Sequence, residues 1–180
     1  MATLCELYVV LRCQAGPILF GTTPLGDFEA MNIVQPRCVL LADAHHGLCE
    51  GVRCLLATAF EVIVMVADEV SLFETAARLQ SDLAVVDLSL ARGDGLDMVR
   101  RFRSRFPNTR MIVVSVHDQL IVSHSVLEAG AHGFVVKRAI ATDLLPAADA
   151  VLAGSHFVSP GIQPRNAGSR GGLADPEQQV

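Results

Sequence analysis

Asp43, Asp87, Ser115 and Lys137 each close a short apolar run, and together they offer two carboxylates, a hydroxyl and an ammonium. If those runs are strands of one parallel sheet, all four groups emerge at its carboxyl edge, where open α/β folds place their chemistry. Two converging carboxylates at the start of a loop make a Mg2+ site, because that ion wants hard oxygen ligands and keeps waters and phosphate oxygens. A hydroxyl and an ammonium beside them can hold the extra oxygens of a phosphoryl group carried on a carboxylate. Each residue alone has a plainer reading. Either aspartate could cap the next helix, Ser115 could be a small turn residue, and Lys137 with Arg138 could be a solvated basic step. The functional reading comes from the set.

The elements that must position this set can be read from periodicity. Between Cys38 and Pro160, short apolar runs alternate with longer stretches of helical period, the pattern of repeated βα units. Strands are predicted at Cys38–Asp43, Glu61–Val66, Leu83–Asp87, Arg110–Ser115 and Gly133–Val136, with helices near 47–58, 69–80, 95–105, 119–129 and 142–152. In the third helix Leu96, Val99, Phe102 and Phe106 fall on one side, while Arg100, Arg101, Arg103 and Arg105 fill the other as a solvated face. Pro107-Asn108 stops that helix, Gly130 is placed to end the fourth, and Thr142 is placed to cap the fifth, with Pro146 about one turn in. The expected fold is α/β: a five-stranded parallel sheet in the order 2-1-3-4-5, doubly wound with five helices. In that order the first and third strands are neighbours, so Asp43 and Asp87 face one another across a cleft.

Composition bounds the rest. The chain of 180 residues is 51% hydrophobic and carries a net charge of −5, enough apolar surface for one packed domain and the wrong sign for coating nucleic acid. Cys5, Cys13, Cys38, Cys49 and Cys54 show no CxxC spacing, so neither a zinc site nor a disulfide framework is indicated and a reducing cytoplasm is the expected location. No run is long enough to cross a bilayer. Three regions are expected: an N-terminal extension over 1–36 without clear period, a folded domain over 37–160, and a flexible Gly/Pro-rich tail over 161–180. His45, His46, His117, His124 and His132 share no ligand spacing and read as surface or loop histidines.

The blocks Val39-Leu40-Leu41-Ala42-Asp43-Ala44-His45, Val85-Val86-Asp87-Leu88-Ser89-Leu90, Val113-Val114-Ser115 and Gly133-Phe134-Val135-Val136-Lys137 resemble those of the bacterial response-regulator receiver domain. The ending Val151–Pro160 is similar to the subgroup that continues into a C-terminal helix-turn-helix, which residues 161–180 are too few to supply. The resemblance implies that Asp87 accepts a phosphoryl group from a sensor histidine kinase or phosphotransfer protein. It implies that Asp43, Asp87 and the Ser89 backbone carbonyl hold Mg2+, and that Lys137 pairs with phosphoryl oxygens. Ser115 and Phe134 would be the switch, Phe134 turning inward to change the surface of the fourth helix, fifth strand and fifth helix. A homodimer through that surface stays open, and neither membrane nor direct nucleic-acid binding is expected.

Three positions depart from the family pattern. Ala44 stands where a metal-binding acid is usual, which weakens Mg2+ binding; Ala91 and Arg138 stand where prolines are common. Ala44 keeps open a phosphorylation-independent interaction module, and the absent helix-turn-helix keeps open a truncated transcription regulator. Ser89 occupies the place of the second acid that aspartyl-phosphate phosphatases need, so turnover of a substrate is not expected.

Overall fold

The computed structural model describes residues 8–11 and 37–162. Its parallel strands are β2 (Cys38–Ala42), β3 (Val62–Val66), β4 (Leu83–Asp87), β5 (Arg110–Ser115) and β6 (Gly133–Val136). Their order is β3-β2-β4-β5-β6, the expected doubly wound arrangement. β2 and β4 are buried along their whole length, which is why they read as continuous apolar runs and not as alternations.

The sheet also continues past both expected edges. β1 (Tyr8–Leu11) lies antiparallel to β3, and β7 (Phe157–Val158) lies parallel to β6. Part of the N-terminal extension therefore belongs to the sheet. Strands of four and two residues are too short to show an alternation that would separate them from loops. The remainder of residues 1–36 and most of the expected tail lie outside the described residues.

Side-chain alternation splits the core into two layers. Leu40, Val64, Val86, Val113 and Phe134 pack with Leu72 of α2 (Glu69–Arg78), Val99 and Phe102 of α3 (Gly95–Arg105), and Val126 of α4 (Leu120–Glu128). Val39, Ile63, Val85, Ile112 and Val135 pack on the other face with Val52 and Leu56 of α1 (His46–Leu56) and Leu144 and Val151 of α5 (Ile140–Leu152). Phe73, Phe102 and Phe106 form an aromatic cluster between α2 and α3, Phe73 and Phe102 meeting edge to face at 5.8 Å.

Local chemistry sets the helix ends. The Asp68 side chain accepts the Ser71 N–H at 3.0 Å and the Asp94 side chain accepts the Leu96 N–H at 2.9 Å, so α2 and α3 start on side-chain caps. Gly95 lets α3 begin close under the loop, since a Cβ there would lie 2.7 Å from Leu88 Cδ1. Gly130, at φ +108°, ends α4 as expected. α5 differs: one turn of 3₁₀ helix over Lys137–Ala139 runs straight into it, so it starts at Ile140. Thr142 lies inside the helix, its hydroxyl donating to the Ala139 carbonyl at 3.0 Å, and Pro146 sits deeper in the helix than one turn.

Candidate functional site

Register brings the site together. Ala42 pairs with Val86, so Asp43 and Asp87 leave adjacent strands at the same level. Ser115 pairs with Val136, which places Lys137 one residue beyond the β5–β6 pairing. Asp43, Asp87 and Lys137 each follow a residue of the α2–α4 layer, so they share one parity of the sheet; Ser115 follows Val114 of the other layer and takes the opposite parity.

The outcome follows that parity. Lys137 Nζ donates to Asp87 Oδ2 at 2.8 Å and to Asp43 Oδ2 at 2.9 Å, both carboxylates being buried. Ser89 N–H donates to Asp87 Oδ1 at 3.1 Å, and the Ser89 hydroxyl donates to Asp87 Oδ2. Burial pushes the Asp43 carboxyl up, but hydrogen bonds from Lys137 and His45 outweigh it and hold the group below its ordinary value. For Lys137, burial pulls the ammonium down, and its bonds to Asp87 and Asp43 more than restore it, leaving the group above its ordinary value.

Ser115 is buried, and its hydroxyl oxygen accepts the His117 N–H at 3.1 Å, within its own loop. Phe134 is wholly buried in the α2–α4 layer. In this conformation the Phe134 ring is packed inward, against the α2–α4 layer. Ser89 sits in a 3₁₀ turn over Leu88–Leu90 that starts directly from Asp87.

Two histidines carry contacts beyond the expected surface or loop role: His45 is exposed as expected but also reaches the pocket, and His132 lies in a loop as expected but is buried. His45 Nδ1 is 2.9 Å from Asp43 Oδ1 and 3.8 Å from Asp87 Oδ2, so the ring belongs to the pocket. His132 is buried, its Nδ1 accepting the Met111 N–H at 3.0 Å; burial, then Arg103, lower its pKa to about 4. Adjacency of His45 to Asp43 was the available signal for the first; for the second, a polar residue entering a strand gives none.

Two further residues support the pocket. The Cys49 thiol donates to the Asp43 carbonyl at 3.3 Å, and burial raises its pKa to about 11, so it is a packed thiol. Glu69 Oε2 accepts the Arg92 N–H at 3.0 Å while its other oxygen takes the Arg101 guanidinium, tying the loop after Asp87 to α2 and α3. Arg101 also pairs with Asp97 at 2.8 Å, so this arginine of α3 is engaged within the chain.

The donor set for a divalent ion is Asp43, His45 and Asp87, whose ligand atoms lie within 4.8 Å of one another. Two buried carboxylates fit such an ion. The set departs from an all-oxygen Mg2+ site, because Ala44 contributes a methyl and the third group is an imidazole.

Comparison with known proteins agrees with this geometry. The family model for the response regulator receiver domain matches residues 39–149. The chain belongs to that family. It is 30% identical over 155 residues to the nitrate/nitrite response regulator protein NarL of Escherichia coli K12, covering 83% of this chain and 71% of NarL. A transcriptional regulator of Pseudomonas aeruginosa is 34% identical over 73% of this chain and 65% of its own length. DegU of Brevibacillus brevis is 27% identical over 69% of this chain, which spans 53% of DegU. Among solved structures, a LuxR-family two-component response regulator from Aurantimonas matches with a TM-score of 0.65 and 27% identity over 71% of this chain and 93% of that one. The relatives are thus NarL- and LuxR-type regulators. Among the described residues no helix is long and apolar enough to cross a membrane.

Proposed function

We propose that this chain is a phosphoryl-accepting receiver of a two-component system, with Asp87 as the acceptor. The observation that carries the reading is the bridge from Lys137 Nζ to both Asp87 and Asp43, which holds a cation beside the acceptor at the carboxyl edge of the sheet. A carboxylate oxygen of Asp87 attacks the phosphorus of a kinase or phosphotransfer-protein phosphohistidine. The new P–O bond forms as the P–N bond breaks, and the imidazole leaves with a proton. Lys137 then offsets charge on the phosphoryl oxygens, and Ser89 N–H steadies the carboxylate. A divalent cation on Asp43 and Asp87, with the Ser89 carbonyl as a further oxygen, would offset the charge developing on the phosphoryl group. Its affinity for Mg2+ is low because Ala44 lacks a ligand.

Output in this reading passes through the surface of α4, β6 and α5, with Ser115 and Phe134 nearest to it. That surface suits a downstream protein or a second copy of the chain, and the role is a cytoplasmic one. The folded domain is taken as 37–160, joined by the β1 segment. Acetyl phosphate or phosphoramidate with Mg2+ should add one phosphoryl mass that Asp87→Ala removes; no gain from either donor would overturn the proposal. Ala44 favours a second reading, a receiver fold that signals by contact without phosphorylation, and that reading gains if the mass does not change. The chain spans 65% of the Pseudomonas aeruginosa regulator and 53% of DegU, so this reading covers the receiver domain and not the activity of a whole transcription regulator.

A further inference from the structure

The pocket holds a ligand that the acidic reading leaves unused. His45, at the start of α1, has an extended backbone (φ −97°, ψ 92°) that folds it back over Asp43. Its N–H donates to Asp43 Oδ1 at 2.8 Å, and its ring Nδ1 lies 2.9 Å from the same oxygen and 3.8 Å from Asp87 Oδ2. We propose that Asp43, His45 and Asp87 take a late first-row divalent cation, Zn2+ being the type, in preference to Mg2+. The proposal rests on the pocket described for phosphoryl acceptance, and not on the transfer itself.

Donor chemistry points this way first. A neutral imidazole is a borderline ligand that zinc, iron, nickel and copper accept, whereas magnesium is held by carboxylates, water and phosphate oxygens. Ala44 removes a hard oxygen from the same pocket while His45 adds a nitrogen, so both changes move selectivity in one direction. The spacing is within reach. Bonds of about 2.0–2.1 Å at tetrahedral angles put neighbouring ligand atoms roughly 3.3 Å apart; His45 Nδ1 hydrogen-bonds Asp43 Oδ1 at 2.9 Å and lies 3.8 Å from Asp87 Oδ2, which also accepts from Lys137, so an ion takes the place of the hydrogen bond between ring and carboxylate.

Positioning and access complete the case. Asp43 and Asp87 are fixed by burial at the ends of paired strands, and Lys137 engages the Oδ2 atom of each, leaving Asp43 Oδ1 turned toward His45. The His45 side chain is 67% exposed, so an ion reaches the ring from solvent. The sequence offers the pairing only through proximity: His45 follows Asp43 by two positions, but Asp87 follows it by 44, and only the β2–β4 register joins them.

Calorimetric titration of the full chain with ZnCl2 and with MgCl2, and absorption spectra with Co2+, test the proposal. One Zn2+ per chain should bind at least about tenfold more tightly than Mg2+, and Co2+ should give visible ligand-field bands. His45→Ala should weaken Zn2+ by at least about tenfold and remove the Co2+ bands while leaving Mg2+ affinity within about twofold; its thermal melt should match that of the parent, since the ring is exposed. Ala44→Asp should return preference toward Mg2+. Cys54→Ser, at an exposed thiol, should leave Zn2+ affinity unchanged. Zn2+ affinity that survives His45→Ala, that falls with Cys54→Ser, or that does not exceed Mg2+ affinity overturns the proposal. Zn2+ binding lost with His45 in a chain that gains no phosphoryl mass removes the proposed function alone. A phosphoryl mass with Zn2+ binding indifferent to His45 removes only this inference.

Discussion

Lys137 Nζ lies 2.9 Å from Asp43 Oδ2, so the first residue after β6 is tied to the first residue after β2 across 94 positions of sequence. The same nitrogen holds Asp87, which makes Lys137 the cation that lets two buried carboxylates share one sheet edge.

Lys137→Met should therefore strand both carboxylates and cost about 3 kcal/mol of folding stability, the range for breaking a buried ion pair. Adding Asp43→Asn should recover more than about 1 kcal/mol of the loss, because the removed charge no longer needs its partner. Urea unfolding of the four members of the cycle measures both. The signs of the pKa shifts set the pH window. The lowered Asp43 group contributes above its ordinary value of 3.8 and loses that contribution as pH falls through its folded value. The raised Lys137 group contributes below its ordinary value of 10.5 and loses it as pH rises through its folded value.

Most of the frame that places this pair was legible in the sequence. Buried parallel strands announce themselves as unbroken apolar runs, as at Leu83–Val86, and the one-sided α3 shows its period. What the sequence left open were the features that depend on contact and not on pattern. Phe134 reads as a strand aromatic whether it is inside or outside, and only packing shows it inside. Ser115 differs from Asp87 by a parity that cannot be read without the β4–β5 register. β1 is an edge strand whose partner, β3, is chosen by the fold.

His132 supplies a second pH test. Its folded pKa is lowered to about 4 from 6.5, so its stabilisation is present above 6.5 and is lost as pH falls toward 4. Stability followed by urea unfolding should decline across that interval in the parent chain. His132→Gln should flatten the decline. His132→Phe should cost about 1–3 kcal/mol even at neutral pH, because the Met111 N–H loses its buried acceptor.

Glu69 tests how rigidly the loop after Asp87 is held. One carboxylate accepts the Arg92 N–H and engages Arg101, and these contacts hold it below the ordinary carboxylate value, the Arg92 bond most strongly. Glu69→Ala should cost about 1.5–3 kcal/mol, the range for hydrogen bonds to a charged group. Amide exchange should quicken at Ala91–Asp94 ahead of the rest of the domain, and Glu69→Gln should restore the Arg92 protection while leaving Arg101 unpaired from it.

Arg138 provides the last test. Its guanidinium pairs with Asp118 of the β5–α4 loop and donates to the Gly161 carbonyl at 2.8 Å, so it joins the loop that follows Ser115 to the segment beyond β7. Both side chains are exposed, and an exposed pair contributes no more than about 1 kcal/mol. Arg138→Ala should therefore barely move the global melt. The local effect should be larger, because Ser159 is held independently: its N–H donates to the Phe134 carbonyl at 3.0 Å and its hydroxyl to Asp143 at 2.6 Å. Exchange should accelerate at Gly161 and Ile162 and in the loop at 116–119 while Ser159 stays protected. Loss of Ser159 protection in the same variant would show that β7 depends on Arg138, and that this edge of the sheet opens as one unit.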